Sequence, residues 1–297
     1  MSKPAKSIQD QITLLQSRNL SFRNIADAPH FLANISYYRL KGYWWDMQDD
    51  KVNHHFINGS FFEHAIDLYN FDRHFRIIVF NAIERIEIAL RTKLIYHLSF
   101  SYGPECYLNP ALFDNQKEFA LFIAKIYQDM GRSSEEFILK HFQNHASEHP
   151  EIWKALEVLT LGTLSKLYQN LKHQLPEKSN IAKEFGLFNQ KYLASWLLTI
   201  TVVRNIIAHH GRLWNRVLIN KYDWPGKTPN ILLSYIPDNH QRRKIFPLLS
   251  AILYLNNEIS PGHHIKNELK NLFFQFQTIQ LSKMGFPIGW EQEPLWI

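Results

Sequence analysis

FFEHAIDLYNFDRHFRIIVFNAIERIEIALRTKLIYHLSF, residues 61–100, decides the fold. Ile66, Leu68, Phe75, Ile78, Val79, Ile83, Ile86, Leu90, Leu94 and Leu98 recur at helical rather than alternating spacing, which predicts one long helix. Asn58-Gly59 supplies a turn in front of it. Ser60 followed by Glu63 predicts a capping box, and Tyr102-Gly103-Pro104 ends the pattern.

The helical period continues on both sides. Upstream, Ile8, Ile12, Leu15 and Leu20 mark a short helix, and Asp27-Ala28-Pro29 reads as an N-cap with proline in the first turn, leading into HFLANISYYRLKGYWW. Downstream, helices are predicted over about 115–130, ending near Gly131, and over 134–145, 151–160, 163–172 and 179–185. A stronger one over 190–210 is stopped by Gly211. The last two span 240–259, where Pro247 predicts a kink or break, and 260–281. Strand signals reduce to short hairpins near Asp46–Phe56 or Ile231–Tyr235. The fold class is therefore all-α. Residues 1–283 read as one domain, with 1–58 a candidate N-terminal subdomain. Residues 284–297 read as a non-helical tail whose Phe286, Trp290 and Trp296 dock on the body.

The chain has 297 residues, 45% of them hydrophobic and 20% charged, enough apolar material for a packed core and too much for a disordered chain. One cysteine, Cys106, excludes an internal disulfide and a Cys-rich zinc site and favours a cytoplasmic setting. Residues 1–20 lack the apolar run of a signal peptide, and the longest nearly apolar run, Trp196–Val203, is far short of a membrane span. Charge is uneven. Residues 1–150 carry 16 Lys/Arg against 17 Asp/Glu, residues 151–297 carry 17 against 10, and the basic half points to a polyanion, by default a nucleic acid, with ordinary solubility charge the plain alternative.

Within that half, VVRNIIAHHGRLWNR (residues 202–216) places Arg204, Asn205, His209, His210, Arg212 and Arg216 at the end of an apolar helix. Such a helix end is costly for a core and suited to a phosphate. Asn205 and His209 are i and i+4 and share a face. Arg204 and His209 are five apart, roughly 140° of rotation, so one copy points them apart. Two copies about a two-fold axis would bring two arginines and two histidines into one cleft. RNA cleavage without a metal needs a base for the 2′-hydroxyl, an acid for the leaving 5′-oxygen and a cation for the charge on phosphorus. Histidine performs either proton task near neutral pH, and arginine offers forked donors to phosphate oxygens.

RNIIAHH with GRLWNR (residues 204–216) resembles the signature of the Abi-like (abortive infection) family of phage-resistance proteins, within the HEPN superfamily of all-α ribonucleases and RNA-binding proteins. KSIQDQITLLQSRNL (6–20), NISYYRLKGYW (34–44), LYNFDRHFRIIVFNAIERIEIALRTKL (68–94) and IWKALEVLTLGTLSKLYQNL (152–171) carry the same resemblance, over roughly residues 4–220. It implies a HEPN-like helical bundle with additional helices and a homodimer whose R-x4–6-H motifs face each other. Here the motif is Arg204 and His209, with Asn205 the usual polar residue after the arginine. The implied activity is a metal-independent endoribonuclease in phage defence or a toxin–antitoxin system, with a regulatory RNA or an antitoxin as partner and no cofactor or metal.

His209 is then the candidate acid/base and Arg204 the stabiliser of the phosphorane, with Asn205 and His210 in support and Arg212 and Arg216 on the RNA backbone. Glu87 and Arg91, i and i+4 on the long helix, are candidate cleft residues, with Glu87 orienting Arg204 or His209; the plain alternative is a surface ion pair. Tyr38, Arg39 and Lys41, among Tyr37, Tyr43, Trp44 and Trp45, are candidate RNA contacts through stacking and charge, against a core cluster with snorkelling cations. His141, His145 and His149 read as a solvated helical face rather than a metal site, and Cys106 as structural. The competing function is a non-catalytic protein that binds and sequesters RNA in the same basic cleft. A helical protein–protein adaptor is the third reading.

Overall fold

In the computed structural model, which describes residues 4–144, 149–219 and 221–297, the long pattern is a single helix, α4, Phe62–Tyr102. Before it come α1 (Ile8–Ser17), α2 (Ala28–Ile35) and α3 (Tyr37–Trp44). After it come α5 (Gln116–Arg132), α6 (Glu136–Asn144), α7 (Ile152–Ala155), α8 (Leu161–Asn170), α9 (Pro176–Glu184), α10 (Gln190–Ala208), α11 (Ile245–Ile259) and α12 (Ile265–Gln275). One small hairpin joins β1 (Gln48–Asp50) to β2 (His55–Phe56), with Gln48 opposite Phe56. The protein is all-α. Among the described residues no helix is long and apolar enough to cross a membrane. The chain divides into two units, Met1–Ile77 with Leu269–Ile279, and Ile78–Glu268 with Gln280–Ile297.

Several local expectations give way to specific contacts. The capping box forms at Ser7 and Asp10, ahead of α1, rather than at Ser60 and Glu63. Glu63 instead accepts from the backbone N–H groups of Arg23 and Asn24 at 3.1 Å, and the Ser60 hydroxyl donates to the Met47 carbonyl at 3.4 Å. The segment after Pro29 is two helices, because Ser36 takes φ 74°, ψ 145° and its hydroxyl caps α3 at Arg39. Pro247 produces no kink, since α11 starts at Ile245 and the proline falls in the first turn, where its missing N–H has no helical acceptor to lose. The 231–235 segment is not a strand.

In the first unit the core gathers Leu15, Leu40, Trp44, Phe56, Phe62, Phe71 and Phe75. Phe71 stacks on Phe75 and lies 6.2 Å from Phe273, centroid to centroid. A polar group is built into this core. The Tyr43 hydroxyl donates to Asp72 Oδ2 at 2.8 Å, and Arg76 Nε donates to the same oxygen at 3.1 Å. Asp72 is wholly buried and Arg76 nearly so; such a charge pair is tolerated when its hydrogen bonds are made.

In the second unit α11 is buried from Ile245 to Asn256 without interruption, the mark of a central helix. Asn256 Nδ2 donates to the Ala82 carbonyl of α4 at 3.1 Å, and the Tyr254 hydroxyl to the Gly186 carbonyl at 2.6 Å. Gly186 sits at φ 72°, and a Cβ there would lie 2.8 Å from that hydroxyl, so the turn after α9 requires glycine. Toward the C-terminus, short 3-10 turns at Leu281–Met284 and Trp290–Gln292 bury Met284 and Trp290, and Phe286 and Trp296 are buried beside them. Trp296 is fully buried, stacks 5.7 Å from Phe246 and donates its indole N–H to Ser250 Oγ at 3.0 Å.

Candidate functional site

Helix α10 places the site. Asn189 caps it by accepting from Lys191 N–H at 2.9 Å, and Leu193, Trp196, Leu197, Ile200, Val203 and Ile207 form its buried stripe. Trp196 Nε1 anchors to the Asp223 carbonyl at 2.8 Å. Beside that stripe Thr201 and Asn205 line one recess and Arg204 another.

The helix ends differently from the expected glycine stop. Gly211 N–H reaches back to the Ile206 carbonyl at 2.7 Å and His210 N–H to the Ile207 carbonyl at 2.9 Å, the paired bonds of a Schellman motif. The left-handed residue of that motif, most often glycine, is His210 at φ 56°. Gly211 follows one position later, where a Cβ would meet the Ile206 carbonyl at 3.0 Å. The left-handed conformation costs an L-residue about 1–2 kcal/mol, and a histidine there holds two exposed imidazoles, His209 and His210, side by side on a fixed backbone.

Arg204 lines a recess of about 320 Å³ together with Phe80, Ile83, Glu84, Glu87, Ile88 and Arg91 of α4. Glu87 Oε2 stands 3.9 Å from Arg204 Nε, an ion pair too long for a hydrogen bond. Arg204 Nε is shielded from solvent and makes no hydrogen bond among the described residues, and Arg204 Nη1 donates weakly to Asn205 Oδ1 at 3.4 Å. The guanidinium is oriented by a carboxylate yet keeps most of its donor capacity. Arg91 is the opposite case. Its Nε donates to the Leu156 carbonyl at 3.1 Å and its Nη2 to the Leu159 carbonyl at 2.9 Å, and Glu87 Oε1 and Glu157 Oε2 lie at 3.4 and 3.7 Å. Arg91 therefore ties α4 to the α7–α8 connection and holds Glu87 in place. His209 is exposed on the last turn and is not among the residues lining the recess.

The remaining candidates are dispersed. The Arg212 guanidinium and Lys283 Nζ lie over the Trp214 ring at 5.8 and 5.7 Å, and Arg216 is exposed. Tyr38, Arg39 and Lys41 belong to α3 of the first unit, where Tyr38 is 86% exposed and Lys41 Nζ approaches His54 Nε2 at 3.4 Å. Their neighbours Tyr43 and Trp44 are core, so that cluster divides between the two roles considered for it. The histidine stripe is corrected in part: His141 is buried, with Lys154 Nζ 3.4 Å from its Nδ1, because α6 turns that face inward; His149 is exposed, and His145 lies outside the described residues. Among the described residues no His, Cys, Asp or Glu cluster could hold a metal ion. Cys106 is buried, and that burial pushes its thiol up to about 11.

A second recess of about 480 Å³ lies between α5, α8 and the Asn205 flank of α10. Its signal in the sequence is slight: Thr201, four residues before Asn205, shares an otherwise apolar stretch with Thr199.

The geometry describes an all-α protein with a basic helix end, in which Arg204 pairs loosely with Glu87 and donates weakly to Asn205. Residues 30–215, more than half of the chain, match the family described as Abi-like protein. The chain belongs to the Abi-like family, and that membership supports a role in abortive infection, a defence against phage. No curated protein and no solved structure matches the chain.

Proposed function

We propose that this chain is a metal-independent endoribonuclease of the HEPN type, with Arg204 and His209 as its catalytic pair. The observation that carries the reading is Arg204: its side chain 27% exposed with Nε shielded, aimed by Glu87 at 3.9 Å, and donating weakly to Asn205 at 3.4 Å. A guanidinium in that state is preorganised for a phosphate oxygen, since its donors need not leave other partners first.

The chemistry follows from the groups. A base removes the 2′-hydroxyl proton and the resulting oxygen attacks the adjacent phosphorus. The bond to the 5′-oxygen breaks, and an acid protonates that leaving group. The products are a 2′,3′-cyclic phosphate and a 5′-hydroxyl. His209 serves as acid/base, and Arg204 stabilises the charge on the phosphorane. Asn205 holds Arg204, and His210 fixes the backbone that presents His209. Arg212 and Arg216 contact the RNA backbone; Tyr38, Arg39 and Lys41 are RNA contacts of the first unit, through stacking and charge.

His209 does not line the recess that Arg204 does, so two copies complete one centre. Phe80 and Ile88 border the same recess while 39% and 52% exposed, apolar surface that a second copy would cover. A toxin–antitoxin arrangement, with an RNA or protein antitoxin covering the cleft, fits the same surface.

The test is RNA cleavage by purified protein in EDTA, with wild type beside His209→Ala and Arg204→Ala and the ends mapped. Cyclic-phosphate ends from wild type, reduced about 10²–10⁴-fold in His209→Ala, are expected, together with a dimer by sedimentation. Cleavage equal in all three proteins would sink the assignment. Salt-dependent RNA binding without cleavage would favour the sequestering alternative.

A further inference from the structure

We infer that the second recess, between α5, α8 and α10, is the seat of one nucleobase of the bound strand and sets a base preference. This rests on the ribonuclease reading, because it takes the phosphate to lie on Arg204.

The recess, about 480 Å³, falls within the range of small-molecule sites. Phe113, Phe122 and Leu198 give it apolar wall, Ser165 and Asn170 add polar groups, and its charged residues, Glu118, Lys125 and Lys166, are all exposed. Lys166 is exposed, and Lys125 is held by Asp129 at 2.5 Å. A neutral, planar, partly polar group suits such an interior better than an anion does.

Two polar side chains of α10 line it. Thr201 Oγ1 is buried and makes no hydrogen bond among the described residues. A helical threonine ordinarily returns its hydroxyl to the i−4 carbonyl. Thr92 does so to Ile88 at 2.9 Å and Thr199 to Ser195 at 3.4 Å, whereas Thr201 does not. A buried hydroxyl left unmatched is costly unless a ligand meets it. Asn205, on the same face one turn later, lines the recess while its Oδ1 accepts from Arg204. Arg204 and Asn205 are consecutive, so a phosphate on the first and a base beside the second belong to one nucleotide or its neighbour. Gly162 packs close beside Thr201: a Cβ there would lie 3.4 Å from Thr201 Cγ2.

Calorimetric titration of the full chain with the four nucleoside 3′-monophosphates, and separately with inorganic phosphate, tests this. Thr201→Val removes the hydroxyl at nearly constant volume. Leu121→Trp narrows the mouth at a residue 56% exposed, so it spares the core. One base is expected to bind about tenfold more tightly than the weakest. That preference should vanish in Thr201→Val, and all four should weaken in Leu121→Trp, with inorganic phosphate unaffected by either change. Equal binding of the four bases, or a preference that survives both variants, overturns the inference. The ribonuclease reading fails on a separate readout, cleavage independent of Arg204 and His209, so the two failures are distinguishable.

Discussion

Two polar clusters lie within the stretch that matches the family, and they are built on opposite principles. Tyr43, Asp72 and Arg76 sit in the first unit, buried and joined through one carboxylate oxygen by bonds of 2.8 and 3.1 Å. Arg204, Asn205, His209 and His210 sit at the end of α10 in the second unit, partly or fully exposed, with one weak side-chain bond between the first two. The first cluster is accounted for by the fold: a buried charge must be paired, and here it is. The second includes a histidine in the left-handed backbone region, a conformation that costs stability. Motifs of one family thus divide into those that keep the chain folded and those that the fold alone does not explain, and the latter are where function is to be sought.

The sharpest way to break that comparison is to remove one member from each side. Asp72→Ala strands Arg76 and Tyr43 in the core and is expected to cost about 3–5 kcal/mol. Arg204→Ala and His209→Ala are expected to stay within about 0.5 kcal/mol of wild type. Urea unfolding followed by circular dichroism measures all three. A large loss in His209→Ala would show that the α10 end is structural after all.

How much of this was legible beforehand differs between the two clusters. The helices announced themselves through apolar spacing, so α4, α10 and the all-α class were readable, whereas Arg204 and His209 stood out as candidates chiefly through the resemblance to the Abi-like family. Contacts made at long sequence separation were not. Glu63 follows Ser60 as a capping box requires, but the N–H groups of Arg23 and Asn24, some forty residues upstream, claim its carboxylate. Arg91 looks like half of an i, i+4 pair with Glu87, yet its strongest bonds go to carbonyls of Leu156 and Leu159. Which of Tyr37 to Trp45 would be core also depended on partners elsewhere, Asp72 among them.

Arg91 sits between the two classes and sharpens the boundary. Arg91→Met keeps the stem but leaves two carbonyls and Glu87 without their donor, an expected loss of about 1–3 kcal/mol. Because Glu87 then loses the group that orients it, cleavage should fall further than the melting curve predicts, with Arg91→Lys intermediate in both. A fall in stability with activity per folded molecule unchanged would make Arg91 a brace alone, and Glu87 would not need it to aim Arg204.

The smallest expected effect runs in the opposite direction. His210 occupies the left-handed position of the α10 Schellman motif at φ 56°, which glycine adopts at no steric cost. His210→Gly is therefore expected to stabilise the protein by about 0.5–1 kcal/mol, the relief of the left-handed conformation outweighing the extra entropy of an unfolded glycine. The imidazole is lost and the backbone presenting His209 becomes freer, so cleavage should decline as the melting temperature rises. That opposite movement is what separates a residue kept for the site from one kept for the fold. In the first unit no such trade is expected, since every change to Tyr43, Asp72 or Arg76 lowers stability. A thermal melt and a cleavage assay on the same preparation of His210→Gly decide it. Loss of stability would mean that contacts of the His210 ring outweigh its backbone strain, and the contrast between the two clusters would then rest on Arg204 and His209 alone.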